Sequence, residues 1–168
     1  MTIAAGFVCS DGLVLFADTE EQQGYTKTNV EKIRQHCSGG IALAIANAGN
    51  GYLADALIDR IFDAVDGKRV HQATILGIIR STILEFHRDE VALYPSSDDV
   101  KQIGLVIGLQ LNQDKPILLH SDASALRKVD EFTVIGYGAE IKFIAQQLYQ
   151  KDMPVVLPSN LDSQGLVS

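Results

Sequence analysis

The sequence predicts an α+β fold, in which antiparallel strands pair and helices pack outside them. Two turn signals favour antiparallel pairing. Asp11-Gly12 separates two apolar runs, as in a tight hairpin, and Gly39-Gly40 separates two further strand-like segments. The order of elements also favours it, because strands are followed by two adjacent helices, more strands and a helix, without strict strand–helix alternation.

The first half of the chain is predicted to hold four strands and a helix. The strands are expected at 3–8, 13–17, 30–36 and 41–49, with a polar loop over 19–29. The apolar period then becomes helical, since Leu53, Leu57 and Ile61 recur at four-residue spacing. Asn50 is the expected N-cap of this helix and Gly67 its stop.

The second half begins with a helix over about 70–93, which Pro95 and the polar cluster after it should end. Strands are predicted next, at 103–111, 116–121 and 132–136. A third helix is expected over 139–150, and the tail, 152–168, has no clear period.

Length and composition indicate one domain over residues 1–168, of an ordinary globular type. The net charge of −7 argues against nucleic-acid and anionic-membrane partners, which select basic surfaces. Cys9 and Cys37 lack a zinc-like spacing, so no metal is predicted, and two scattered cysteines fit a reducing compartment. With no signal peptide and no membrane-length apolar run, we expect a cytoplasmic protein.

Thr2 raises a specific chemical possibility, because removal of Met1 would expose a hydroxyl beside its own amine. Such an amine has an ordinary pKa near 7.7–8 and can accept the hydroxyl proton. The mechanism also needs a lysine held by a carboxylate, and backbone N–H donors for an oxyanion. Asp18, Lys32 and the glycine turn at Gly49 supply these residue types. Spacing alone does not show that they converge, and on the residues alone the polar start of a strand is the favoured interpretation of Thr2.

The segment TIAAGFVCSDGLVLFAD resembles the opening of proteasome β-type subunits and of the HslV peptidase. Those chains begin with Thr, cross a turn ending in Gly and reach an apolar-Ala-Asp strand end. NVEKIRQ, AIANAGNGYLADAL and VIGYGAEI resemble later family segments. The resemblance implies a four-layer αββα Ntn-hydrolase sandwich, C-terminally short, with two antiparallel sheets flanked by helices.

The same resemblance implies roles for single residues. Thr2 would be the nucleophile of a threonine-type peptidase, with Asp18 and Lys32 as its catalytic pair and Gly49 as the oxyanion donor. It implies no cofactor. It also implies a homo-oligomeric ring that takes peptide or unfolded-protein substrates. An ATPase unfoldase is a possible partner of such a ring.

Two departures from the family pattern keep other functions open. Tyr137 stands where the family has the serine of Gly-Ser-Gly, and the chain ends before the family's last helix and strands. The chain is therefore either a fragment or a reduced relative. One alternative is a catalytically silent, structural ring subunit, and another is an Ntn amidohydrolase that acts on a small amide.

Two other groups of polar residues have simpler interpretations. His120, Ser121 and Asp122 are residue types of a catalytic triad, but strand neighbours point to opposite faces, so we expect a turn. Glu85, His87, Asp89 and Glu90 lack metal-ligand spacing and predict a polar helix face. The sequence motifs thus converge on Thr2.

Overall fold

The protein is described by a computed structural model for residues 2–23, 26–68, 71–93, 102–112 and 114–136, with the backbone alone at 21–23 and 26–28. The strands in these ranges are β1 Ile3–Val8, β2 Leu13–Ala17, β3 Glu20–Gln23, β4 Thr26–Asn29, β5 Ile33–Ser38, β6 Ile41–Gly49, β7 Ile103–Leu111, β8 Ile117–Asp122, β9 Ala125–Val129 and β10 Phe132–Gly136. The helices are α1 Gly51–Val65 and α2 Gln72–Phe86, and α2 continues into a π-helical turn, His87–Val91.

The strands form two main antiparallel sheets and a separate hairpin. One sheet has the order β10-β1-β2, and the other has the order β5-β6-β7-β8-β9. The hairpin pairs β3 with β4. The α+β class and the antiparallel pairing predicted from the turn signals are therefore confirmed.

The five-stranded sheet is apolar on both faces, because successive side chains of a strand alternate between them. On one face, Leu43 and Ile45 of β6 pack in a large cluster with α1 and α2. On the other face, Ala46 and Ala48 pack against Ala4 and other residues of the three-stranded sheet. Each buried leucine or isoleucine contributes about 1.5–3 kcal/mol, so these two clusters hold the layers together.

Three layers are thus described, namely two helices, the five-stranded sheet and the three-stranded sheet. The outer face of the three-stranded sheet carries a further buried cluster around Ala5, Phe132 and Val134. The helix expected over 139–150, which would form a fourth layer, lies outside the described residues, as does the tail after it. Within the described ranges, neither helix combines the length and the apolarity that crossing a membrane requires.

Helix α1 begins and ends where its sequence signals indicate. The Asn50 side chain accepts a hydrogen bond from the Leu53 backbone N–H, as an N-cap does. Gly67 adopts φ +63 just beyond the last helical residue, a conformation that suits glycine at a helix end. Helix α2 starts at Gln72 and ends at Phe86, and the last turn of the predicted helix is the π-helical turn.

Three sequence expectations need correction. The segment 19–29 is not a loop, because β3 and β4 pair there and the backbone N–H of Val30 donates to the Thr19 carbonyl. His120–Asp122 is the end of β8 rather than a turn, and the turn follows at Ala123, which has φ +48. Strand β9, which pairs with β8, was not predicted at all.

Candidate active site

Thr2 lies at the start of β1, the central strand of the three-stranded sheet. On one side, β1 pairs with β10 so that Ile3 faces Gly136. Gly136 has φ +81, and a Cβ built on it would overlap the Thr2 carbonyl oxygen and lie 3.0 Å from the Thr2 carbonyl carbon. The bare glycine backbone therefore sets the position of the Thr2 carbonyl.

Asp18 reaches the start of the chain through the β1–β2 hairpin. The antiparallel register pairs Ala4 with Ala17. Ile3, which precedes Ala4, therefore lies opposite Asp18, which follows Ala17. The Asp18 backbone N–H donates to the Ile3 carbonyl at 3.0 Å, and the Ile3 N–H donates to Asp18 Oδ1 at 3.2 Å. These two bonds fix the carboxylate beside the residue that follows Thr2.

Lys32 precedes β5 and places a buried ammonium between the other two side chains. Its Nζ donates to Asp18 Oδ1 at 2.9 Å, to Thr2 Oγ1 at 3.2 Å and to the Glu20 carbonyl oxygen. Lys32 is only 7% exposed, yet its three donors have three acceptors, which offsets the cost of burying the charge. The Asn47 backbone N–H donates to the Lys32 carbonyl at 3.2 Å and ties this segment to β6.

Gly49 ends β6 at the point where the chain turns into α1. It has φ +105, and a Cβ there would overlap the carbonyl oxygen of Gln102. That same carbonyl accepts a hydrogen bond from the Asn50 N–H at 3.0 Å. The turn thus requires glycine, whose backbone adopts positive φ without strain.

Thr2, Lys32 and Gly49 line one cavity of about 110 Å³. Its wall is completed by residues of three segments, namely the chain before β5, the end of β6 and the first turns of α1. These are Val30, Glu31, Asn47, Ala48, Gly51, Tyr52 and Asp55. The structure therefore brings Thr2, Asp18 and Lys32 into direct contact and places Gly49 on the same cavity.

Within the described residues, His120 and Ser121 make hydrogen bonds to different groups. His120 Nδ1 lies 2.5 Å from Thr133 Oγ1, whereas Ser121 Oγ donates to the Ala123 carbonyl at 3.1 Å. The Ser121 hydroxyl is thus engaged with the turn that follows β8.

The π-helical turn after α2 makes surface ion pairs. Asp89 pairs with Arg88 at 2.6 Å, and Glu90 pairs with Arg60. Burial lowers the pKa of the His87 imidazole, against an opposing contribution from its hydrogen bond to the Ala123 backbone. Across the part of the chain that the structure describes, no group of three His, Cys, Asp or Glu side chains is placed to hold a metal ion.

Sequence reasoning missed several contributors to this site. The Glu20 carbonyl oxygen could not be predicted as a partner of Lys32, because every residue type has a backbone oxygen. Gly136 had a weak signal as the first glycine of the GYG segment, whereas Asn47 had none. Tyr137, the departure from the family pattern, lies outside the described residues.

Comparison with protein-family models and with curated protein sequences finds no match. Solved structures do match, at low identity. The Anbu protein of Pseudomonas aeruginosa, solved as a helical assembly, is 18% identical with a TM-score of 0.68, and the match covers 86% of this chain and 65% of that one. This chain thus spans slightly less than two thirds of that relative.

Two further structures match over most of both chains. HslV from Trypanosoma brucei is 17% identical with a TM-score of 0.58, over 91% of this chain and 82% of that one. The BPH protein of Thiobacillus denitrificans, solved with epoxomicin bound, is 14% identical with a TM-score of 0.61, over 92% and 81%. The chain therefore has the fold of the Anbu, HslV and BPH structures.

Proposed function

We propose that this protein is a threonine-type peptidase subunit of a proteasome-like assembly, with Thr2 as its nucleophile after removal of Met1. The observation that carries the proposal is the position of the Lys32 ammonium, which donates both to Thr2 Oγ1 at 3.2 Å and to Asp18 Oδ1 at 2.9 Å. A cation at the hydroxyl oxygen favours the alkoxide over the alcohol. The same fold in HslV and in an epoxomicin-bound protein also supports it.

The proposed reaction begins with loss of Met1, which frees the α-amine of Thr2. This amine takes the proton of Thr2 Oγ while the oxygen attacks the substrate carbonyl carbon. Lys32 stabilises the developing negative charge on the attacking oxygen, and Asp18 holds Lys32 in place. The carbonyl oxygen becomes an oxyanion, for which we assign the Gly49 N–H as donor.

The tetrahedral intermediate then collapses. The carbon–nitrogen bond breaks, the protonated Thr2 amine gives its proton to the departing amine, and an ester links Thr2 Oγ to the acyl group. Water, deprotonated by the Thr2 amine, attacks that ester and releases the acid. The cycle returns Thr2 to its starting state and uses no cofactor.

Covalent labelling tests the proposal. Protein with Thr2 as its first residue should gain the mass of one peptide epoxyketone or β-lactone, and the Thr2→Ala variant should gain none, because only Thr2 offers the hydroxyl and amine together. Intact mass spectrometry measures both. Thr19→Ala, which changes an exposed threonine nearby, should label like the parent. A Thr2-terminated chain that stays unlabelled would leave the silent structural subunit, which Tyr137 favours, as the better hypothesis.

We also propose that the chain works as a homo-oligomer and is one domain with four layers. The helical assembly of the Anbu relative supports oligomerisation, and burial of Phe132 and Val134 on the outer sheet face supports a fourth layer. Native mass spectrometry should show multiples of the 18.2 kDa chain, whereas a monomer alone would contradict the assembly. An ATPase unfoldase partner, unfolded-protein substrates and a cytoplasmic location stay predictions.

A further inference from the structure

The groups of the candidate site come from two different sheets. Thr2 precedes β1 and Asp18 follows β2, both in the three-stranded sheet. Lys32 precedes β5 and Gly49 ends β6, both in the five-stranded sheet. The 3.2 Å contact between Lys32 Nζ and Thr2 Oγ1 therefore depends on how the two sheets are placed relative to each other. Apolar side chains fill most of the space between the sheets, and apolar contacts have no preferred direction.

Side-chain hydrogen bonds join the two sheets at two places in the described ranges. One place is the site itself, where Lys32 donates to Thr2 and to Asp18. The other is the hydrogen bond between His120 Nδ1 on β8 and Thr133 Oγ1 on β10, which are 2.5 Å apart. Thr133 is 0% exposed and His120 is half-buried. Because a hydrogen bond depends on both distance and angle, this buried bond can fix a position that apolar packing leaves free.

The strand registers place this bond where the two sheets approach closely. Thr133 pairs with Gly6 of β1, and His120 pairs with Val106 of β7. A Cβ built on Gly6 would lie 2.6 Å from Val106 Cγ1, so the bare backbone of β1 lies directly against β7 there. Alternation along β8 directs His120 toward the same interface, because Leu118, two residues earlier, packs between the sheets. The hydrogen bond and the close contact thus occupy one point of the interface.

The strands that meet at this point also reach the nucleophile. Thr133 lies three residues before Gly136, whose backbone lies against the Thr2 carbonyl. On the neighbouring strand, Gly6 lies four residues after Thr2. A strand rises about 3.3 Å per residue, so the bond is only about 10–13 Å from Thr2 along either strand. A shift of the three-stranded sheet at Thr133 therefore moves Thr2 relative to Lys32.

We infer that, if the proposed function holds, His120 and Thr133 are positioning residues for the reaction at Thr2. Their hydrogen bond fixes the three-stranded sheet on the five-stranded sheet and so keeps Thr2 Oγ1 within reach of the Lys32 ammonium. Neither side chain takes part in the chemistry. Loss of the Thr133 hydroxyl would deprive the His120 imidazole of this partner inside the interface, and the cost of that loss favours a shift of one sheet against the other.

The test is the rate of epoxyketone labelling in protein whose first residue is Thr2, measured where every variant is folded. Thr133→Val keeps the shape of the side chain and removes the hydroxyl. We expect it to slow labelling about tenfold or more, since a displacement of about 1 Å at a reacting group costs about a hundredfold. Thr133→Ser keeps the hydroxyl and should label at close to the parental rate. Ser121→Ala is the matched control, because Ser121 is also buried on β8 but its hydroxyl donates to the Ala123 carbonyl of the following turn, not across the sheets.

A double variant separates positioning from stability and keeps the test decisive if Thr133→Val alone does not fold. Combining His120→Leu with Thr133→Val makes both partners apolar, so urea unfolding should show stability regained relative to Thr133→Val, while labelling stays slow. Parental labelling in Thr133→Val or in the double variant, or slow labelling in Thr133→Ser, overturns the inference and leaves the peptidase standing. A parent protein that takes no label overturns the proposed function instead, and the positioning role falls with it.

Discussion

Replacing Lys32 by methionine is expected to lower kcat for peptide hydrolysis by about a thousandfold, since removal of one group that stabilises a developing charge costs 10²–10³. The ammonium is the donor 3.2 Å from Thr2 Oγ1, so its loss acts on the reacting oxygen itself. KM should change little, because the contact is made with the nucleophile and not with bound substrate. Steady-state kinetics with a peptide amide measure both parameters.

The same variant should remain folded, which separates chemistry from stability. Methionine keeps the unbranched apolar stem, and the Asp18 side chain is 31% exposed, so water can solvate the carboxylate that loses its partner. Lys32→Arg keeps the positive charge, but the planar guanidinium cannot place its donors as one ammonium nitrogen does toward three acceptors. We therefore expect a large loss of kcat in this variant too. Lys128→Met, at an exposed position on β9, is the control. Activity of Lys32→Met within tenfold of the parent would refute the role.

The sequence predicts the fold wherever an apolar period and a turn signal coincide. Strands β1 and β2 are an example, because Asp11-Gly12 links two apolar runs whose register the structure keeps. Strands β3 and β4 have no such signal, since Glu-Glu-Gln-Gln and Thr-Lys-Thr-Asn offer no apolar face. Strand β9 is mostly exposed, and its pairing with β8 defines it. The hydrophobic pattern of the sequence therefore could not predict strands that are polar and are defined by backbone pairing.

The residues of the candidate site also differ in how far they could be predicted, because some meet through local pairing and others through distant contacts. Asp18 meets Ile3 through a hairpin register, so its place beside Thr2 follows from counting along two strands. Lys32 lies just before β5 of the five-stranded sheet and follows the β3–β4 hairpin, and only the family resemblance assigned it to the site. Asn47 and Asp55 come from β6 and α1, and their place on the cavity depends on how these elements pack. Such tertiary contacts leave no periodic trace in the sequence.

Gly136→Ala is expected to destabilise the protein and to slow the labelling of Thr2 about a hundredfold. The positive φ alone costs about 1–3 kcal/mol for a residue with a side chain. The added Cβ would also overlap the Thr2 carbonyl oxygen and lie 3.2 Å from the Ala48 Cβ, so β1 must shift at the nucleophile. A displacement of about 1 Å at a reacting group is enough to lower the rate a hundredfold. Urea unfolding and the rate of epoxyketone labelling measure the two effects.

Gly77→Ala is the matched control, because it makes the same chemical change where nothing lies within 4 Å of the new Cβ. Gly77 is inside α2, where alanine favours the helix by about 0.5–1 kcal/mol, so this variant should be more stable and label at the parental rate. The decisive comparison is between labelling rates under conditions where both variants are folded. If folded Gly136→Ala labels as fast as Gly77→Ala, the glycine does not position Thr2. In that case the β1–β10 contact serves the sheet alone.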